Sequence, residues 1–228
     1  MKKLLFALIF LSAAAIQAQD AKPSPVVTVT GEGIVKVVPD QVLIKSRIEH
    51  EGDSAEQVKK ENDVAVDKVI KFLKSKGIKE KNIQTDYVNL NKRYDYNDKT
   101  YSYVANQAIS IRLDDIKDYE SIMKGLLENG LNRIDGVQFK SSKMASFEAE
   151  ARKKAVLDAK KKAEDFVEPL NQSLGKAISI SEMDGNNYQP MYRMAEAVEM
   201  SDKNGSQETI APGEMEIKVK VNVGFQLN

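Results

Sequence analysis

The chain has 228 residues, 34 basic and 34 acidic side chains, one histidine and no cysteine. With no cysteine there is neither a disulfide framework nor thiol chemistry nor a lipid-accepting residue, so stability must come from the core. The charge balance lacks the concentrated basic face that phosphate neutralisation needs, which argues against a nucleic-acid partner and gives no reason for binding anionic lipid.

The opening stretch MKKLLFALIFLSAAAIQAQD has a basic start at Lys2 and Lys3, an apolar run from Leu4 to Leu11 and small residues leading to Ala18. These are the three regions of a secretory signal peptide, residues 1–18, followed by a short lead over 19–25. A membrane anchor needs about 20 apolar residues, and far fewer precede Gln17. Cleavage after Ala18 removes two basic side chains and leaves no transmembrane segment in the mature chain. That mature length fits one large domain or two small ones, and no Pro/Ser/Gly linker decides between them.

VTVTGEGIVKVVPDQ, Val27 to Gln41, carries Gly31 and Gly33. A phosphate loop would need a third glycine where Lys36 stands, or a Lys-Ser/Thr pair, and a helix afterwards. The residues after Gly33 are instead β-branched and alternating, with Pro39-Asp40 as turn chemistry, so a first hairpin is expected. The two glycines then read as a bend or bulge with freedom for positive φ.

Residues 53–77 form an amphipathic helix, with Asp53 or Ser54 as cap, Val58, Ala65, Val66, Val69, Ile70, Phe72 and Leu73 at helical spacing, and Gly77 as terminator. Two strands, Gln84 to Tyr94 and Ser102 to Leu113, are joined by a polar turn around Asn97-Asp98. A second helix starts at Asp114 or Asp115 and ends at Gly130, its stripe being Ile116, Tyr119, Ile122, Met123, Leu126 and Leu127. IDGVQFKSS is a short strand. The third helix, Ala145 to about Leu170, is alanine-rich, and Ala149, Ala159 and Ala163 on its inner side allow close approach to a sheet. KAISISEM is a strand, residues 184 to about 211 are irregular and polar, and the ending GEMEIKVKVNVGFQL alternates Met215, Ile217, Val219, Val221, Val223 and Phe225 with polar or small residues. The order ββαββαβαββ makes the fold class α+β, with largely antiparallel sheets packed against three main helices.

VTVTGEG with VPDQVLI, NIQTDYVNLNKRYDY, GLNRIDGVQF, the helix EARKKAVLDAKKKAEDFVEPLNQSLG leading into AISISE, and IAPGEMEIKVKVNVGFQL are together specific. In them the chain resembles the SIMPL domain family, whose bacterial members are secreted periplasmic or outer-membrane-associated proteins described as oxidative-stress defence proteins and periplasmic immunogenic antigens. The resemblance implies one SIMPL-like domain over 26–228 that admits two subdomains, and a tendency to assemble into higher oligomers. It brings no catalytic residues to transfer. The methionine-containing segment before IAPGE departs from the family pattern.

Glu49, His50, Glu51 and Asp53 bunch together, but neighbours on a strand point to opposite faces. A solvated loop with a helix cap accounts for them without a metal. Met183, Met191, Met194 and Met200 could bind Cu(I) or take up oxidant, or could be incidental, since no His or Cys accompanies them. Five of eight tyrosines lie between Tyr87 and Tyr103. Tyr94, Tyr96, Tyr101 and Tyr103 flank the hairpin turn, where cross-strand packing and a protein interface are both open readings. No catalytic, cofactor or metal residue is assigned. The expectation is a non-enzymatic, secreted, homo-oligomeric envelope protein that scaffolds or binds an envelope partner in stress tolerance. The alternatives are an enzyme acting on envelope material, and methionine-based oxidant or copper buffering.

Overall fold

A computed structural model describes residues 25–183 and 210–228. The expected signal peptide, residues 1–18, and Met191, Met194 and Met200 lie outside the described residues. The elements are β1 (Val26–Val37), β2 (Gln41–Gly52), α1 (Ala55–Ser75), β3 (Ile83–Asp95), β4 (Thr100–Leu113), α2 (Tyr119–Glu128), β5 (Arg133–Lys140), α3 (Met144–Val167), β6 (Leu174–Glu182) and β7 (Met215–Leu227). This is the α+β order expected. One sheet runs β1-β7-β6 and the other β3-β4-β2-β5, the latter with antiparallel neighbours throughout.

The described residues divide into two compact units, one of 25–34, 148–183 and 218–228, the other of 35–147 and 210–217. In the first, α3 lies on β1 so closely that only glycine fits beneath it. A Cβ added at Gly31 would stand 2.0 Å from the Ala155 carbonyl oxygen, and one at Gly33 would stand 2.0 Å from that of Ala151. The glycines are therefore neither bend nor bulge. They sit inside a continuous strand, and the left-handed glycines are Gly77, Gly130 and Gly213. The helix contributes Ala151, Ala155, Ala159 and Ala163, all fully buried at i, i+4 spacing, whereas Ala149 is exposed. With alanines on every side, periodicity offered no contrast by which to choose among them.

The expected first hairpin does not form, because β1 and β2 belong to different sheets and Val38-Pro39-Asp40 connects them. Asp40 holds that connection. Its carboxylate accepts from the Ser142 amide at 2.7 Å and the Ser142 hydroxyl at 2.5 Å, while its own amide donates to the Lys140 carbonyl at 3.1 Å. Burial would raise its pKa, but the Ser142 bonds outweigh this and lower it.

In the second unit α1 and α2 cover one face of the four-stranded sheet. The core joins Val42, Ile44 and Ile48 with Ile109, Ile111, Leu113, Val69, Leu73, Ile122 and Leu126. Ser54, rather than Asp53, is the N-cap of α1, accepting from the Gln57 amide at 3.4 Å. At the far end Ile78 donates to the Leu73 carbonyl at 3.1 Å around left-handed Gly77, a Schellman closure. α2 begins later than expected, behind a 3-10 turn at Ile116–Asp118 capped by Asp115, and Leu127 lies outside its buried stripe. In β7 all six alternating apolar residues are buried, as their pattern requires.

Candidate interaction surface

Strands β3 and β4 form a hairpin in which Tyr94 faces Tyr101 and Lys92 faces Tyr103. Side chains alternate with period two, so all four share one face. That face is also the core face, because β4 carries it through Ala105 and Ile111 to His50 and Ile44 of β2. Beyond the cover of the helices it emerges into solvent as Val88, Leu90, Lys92 and the tyrosines. The loop at the tip is fixed by Asp95, whose Oδ1 accepts from the Asn97 amide at 2.8 Å and the Asp98 amide at 3.3 Å, and by Lys99 at φ 54°.

The tyrosines pack on one another and stay exposed. Tyr94 meets Tyr96 edge-on at 5.0 Å between centroids and Tyr101 at 4.8 Å, while the Lys92 ammonium sits 3.9 Å from the Tyr101 centroid. Even so, Tyr96 remains 84% exposed and Tyr101 56%. Cross-strand packing accounts for the Tyr94–Tyr101 contact, and it leaves Tyr96 and the outer side of Tyr101 uncovered. The structure brings Tyr94, Tyr96 and Tyr101 into one cluster, with Tyr103 beside them through the Lys92 ammonium at 6.0 Å.

The opposite face of the sheet is a ladder of charges. Arg93 pairs with Glu51 at 3.1 Å, Ser102 donates to Glu51 at 2.7 Å, Arg133 lies 3.6 Å from Glu49, and Arg47 pairs with Asp135 at 2.9 Å while stacking over Tyr87. Glu49 and Glu51 are thus turned away from His50, which faces the helices. Glu49, His50 and Glu51 lie in the strand and not in the solvated loop expected, with Asp53 in the bend after it, and among the described residues no group of three or more metal-binding side chains comes together.

His50 edges a groove of about 600 Å³ with Lys60, Glu61, Val64, Lys68 and Glu128 among its lining residues. Its Nδ1 is 3.4 Å from the Asn62 amide nitrogen, which also donates to the carbonyls of Ile48 at 2.8 Å and Ala105 at 3.2 Å. Asn62 was missed in the sequence, although it is legible there as the one polar residue inside the stripe of Val58, Ala65, Val66 and Val69. Buried beneath α1, it ties the helix to two strands at once.

The sequence matches a described family. The SIMPL model, described as a protein of unknown function, matches residues 27–225. The chain belongs to the SIMPL family. Among curated SIMPL relatives, the uncharacterized protein YggE of Escherichia coli K12 is 29% identical over 230 residues, covering 98% of this chain and 92% of the relative. The 26 kDa periplasmic immunogenic protein of Brucella melitensis is 24% identical over 210 residues, covering 88% and 84%. A YggE of Edwardsiella ictaluri is 25% identical over 222 residues. A secreted, periplasmic SIMPL protein is what the basic and apolar opening indicates, and the Brucella relative is itself named periplasmic. No helix among the described residues is long and apolar enough to cross a membrane.

Proposed function

We propose that this SIMPL protein is a non-enzymatic scaffold or binding protein of the cell envelope that self-associates and serves stress tolerance. The observation that carries this reading is the exposed tyrosine cluster at the β3–β4 tip, where a monomer would ordinarily present polar side chains. Covering an apolar or aromatic side chain stabilises an assembly by about 1.5–3 kcal/mol, and Tyr suits interfaces because it joins an apolar ring to a polar tip. The stress role rests on the family resemblance alone.

Sedimentation of the mature protein tests the reading. The parent is expected to sediment as an oligomer, and a variant carrying Tyr96→Ser and Tyr101→Ser is expected to shift towards monomer with unchanged circular dichroism. A variant that sediments as the parent does assigns the tyrosines to internal packing or to another surface. The groove beside His50 favours the second reading, an enzyme or small-ligand protein acting on envelope material, and that reading rises if the parent is monomeric at high concentration.

A further inference from the structure

The two sheets treat their outer strands differently. The free edge of β1 is bonded by side chains of α3 at i, i+4 and i+8. Lys154 donates to the Ile34 carbonyl at 3.4 Å, Asp158 accepts from the Glu32 amide at 2.8 Å, and Lys162 donates to the Thr30 carbonyl at 3.1 Å. With those groups occupied, no further strand can add there.

β3 is one of the two outer strands of the other sheet, β5 being the second, and its residues from Gln84 to Asp95 are exposed on both faces. Among the described residues no side chain bonds its backbone. A bulge lies at Thr85–Tyr87, and from Tyr87 to Asp95 the strand is regular. Charges often guard such an edge, yet here they are turned onto their own sheet, Arg93 to Glu51 and Lys92 over Tyr101. β5 and β6 are also outer strands, but β5 has only eight residues with a register shift opposite Lys45/Ser46, and the register of β6 breaks twice between Leu174 and Ser179. The unguarded, regular edge is therefore β3.

What that edge accepts is set by its two faces. Val88, 49% exposed, and Leu90, 43% exposed, lie on one face, with Asn89, Asn91 and Arg93 on the other. The edge fits an extended segment with the same alternation, and β3 itself has it. We propose that a second copy of this chain adds to β3 by antiparallel pairing of β3 with β3 about Asn89, joining two four-stranded sheets into one of eight strands. In that register Val88 of each copy stands opposite Leu90 of the other, giving one apolar patch of four side chains. Lys92 and Arg93 fall beyond Asn91, opposite the bulge at Thr85–Tyr87, which carries no cation. A register centred on Lys92 would set like charges together.

This inference rests on the self-association reading and goes further in naming the seam. The chain has no cysteine, so single substitutions report contacts cleanly. Residues directly opposite across an antiparallel pair have Cα atoms about 4.5–5.5 Å apart, within the roughly 4.4–6.8 Å a disulfide spans. Asn89→Cys in the full mature protein, mildly oxidised, is expected to give a covalent dimer on a non-reducing gel, and Asn97→Cys at the loop is not. Leu90→Lys is expected to weaken association roughly tenfold, with circular dichroism unchanged. An oligomeric parent whose Asn89→Cys variant stays unlinked overturns the β3 seam and leaves assembly through the tyrosines standing. A monomeric parent overturns both. Cross-linking of Asn89→Cys to a different envelope protein, and not to itself, gives the edge to a foreign strand and overturns the second copy as occupant.

Discussion

Gly31 and Gly33 show how much one missing Cβ decides. The pair looks like loop punctuation, but its cause is a helix far along the chain whose Ala155 and Ala159 backbone atoms occupy the space a side chain would need. Gly31→Ala is expected to cost roughly 3 kcal/mol, the upper part of the usual range for overpacking, because the clash is with backbone and not with a movable side-chain end. For a chain of this size that is roughly 6–12 °C in thermal midpoint. Gly136 is the comparison, since a Cβ there meets nothing within 4 Å and φ is not positive. Equal midpoints for Gly31→Ala and Gly136→Ala would show that α3 does not lie on β1 as described. Asn62 teaches the converse lesson. A polar residue in an apolar stripe is visible from spacing, but its two carbonyl partners are not, because they belong to strands that only the folded sheet brings beneath it.

At the scale of elements, local chemistry and the β3–β4 hairpin are legible, and the pairing of other strands is not. The Ser54 cap, the Gly77 and Gly130 terminators and the alternation of β7 depend on neighbours within a few residues, and each stands in the fold. Which strand lies beside which depends on contacts across the chain, so β1 and β2, adjacent with a turn between them, have the pattern of a hairpin although they join different sheets. The same gap hid the edge. The tyrosines could be counted in the sequence, whereas the outer position of β3 could not.

The guard on β1 gives an element-scale prediction. Asp158 has its carboxyl held below the ordinary value of 3.8, first by the Lys162 ammonium and then by the Glu32 amide. Glu32 is likewise lowered, chiefly by Lys218 at 2.5 Å. A depressed carboxylate takes up its proton in the unfolded chain before the folded one. Its contribution is therefore complete above the unfolded value and lost as pH falls through the lower folded value. Both groups are largely solvated, so screening keeps the effect small. Asp158→Asn should lower the thermal midpoint at pH 7, and the gap to the parent should narrow as pH falls below the ordinary value of 3.8. A gap independent of pH would mean that the β1 edge is not held by an ionised carboxylate.

For the whole molecule, placement in the cell precedes assembly, because a scaffold of the envelope must first be exported. Lys2 and Lys3, the apolar run Leu4 to Leu11 and the small residues before Gln19 together present an export signal, with Ala18 suited to the last position before cleavage and Ile16 larger than the small residue preferred there. The family match begins only at residue 27, so removal of residues 1–18 leaves it untouched. The described fold, which begins at Pro25, is likewise left whole. Mass spectrometry of the protein recovered from the periplasmic fraction is expected to give an N-terminus at Gln19. Recovery of a chain that still begins at Met1 would overturn both the cleavage and the export. A mature start shifted by a few residues would instead mean that the large Ile16 moves the cut, with export intact. In that case Ile16→Ala should restore cleavage after Ala18.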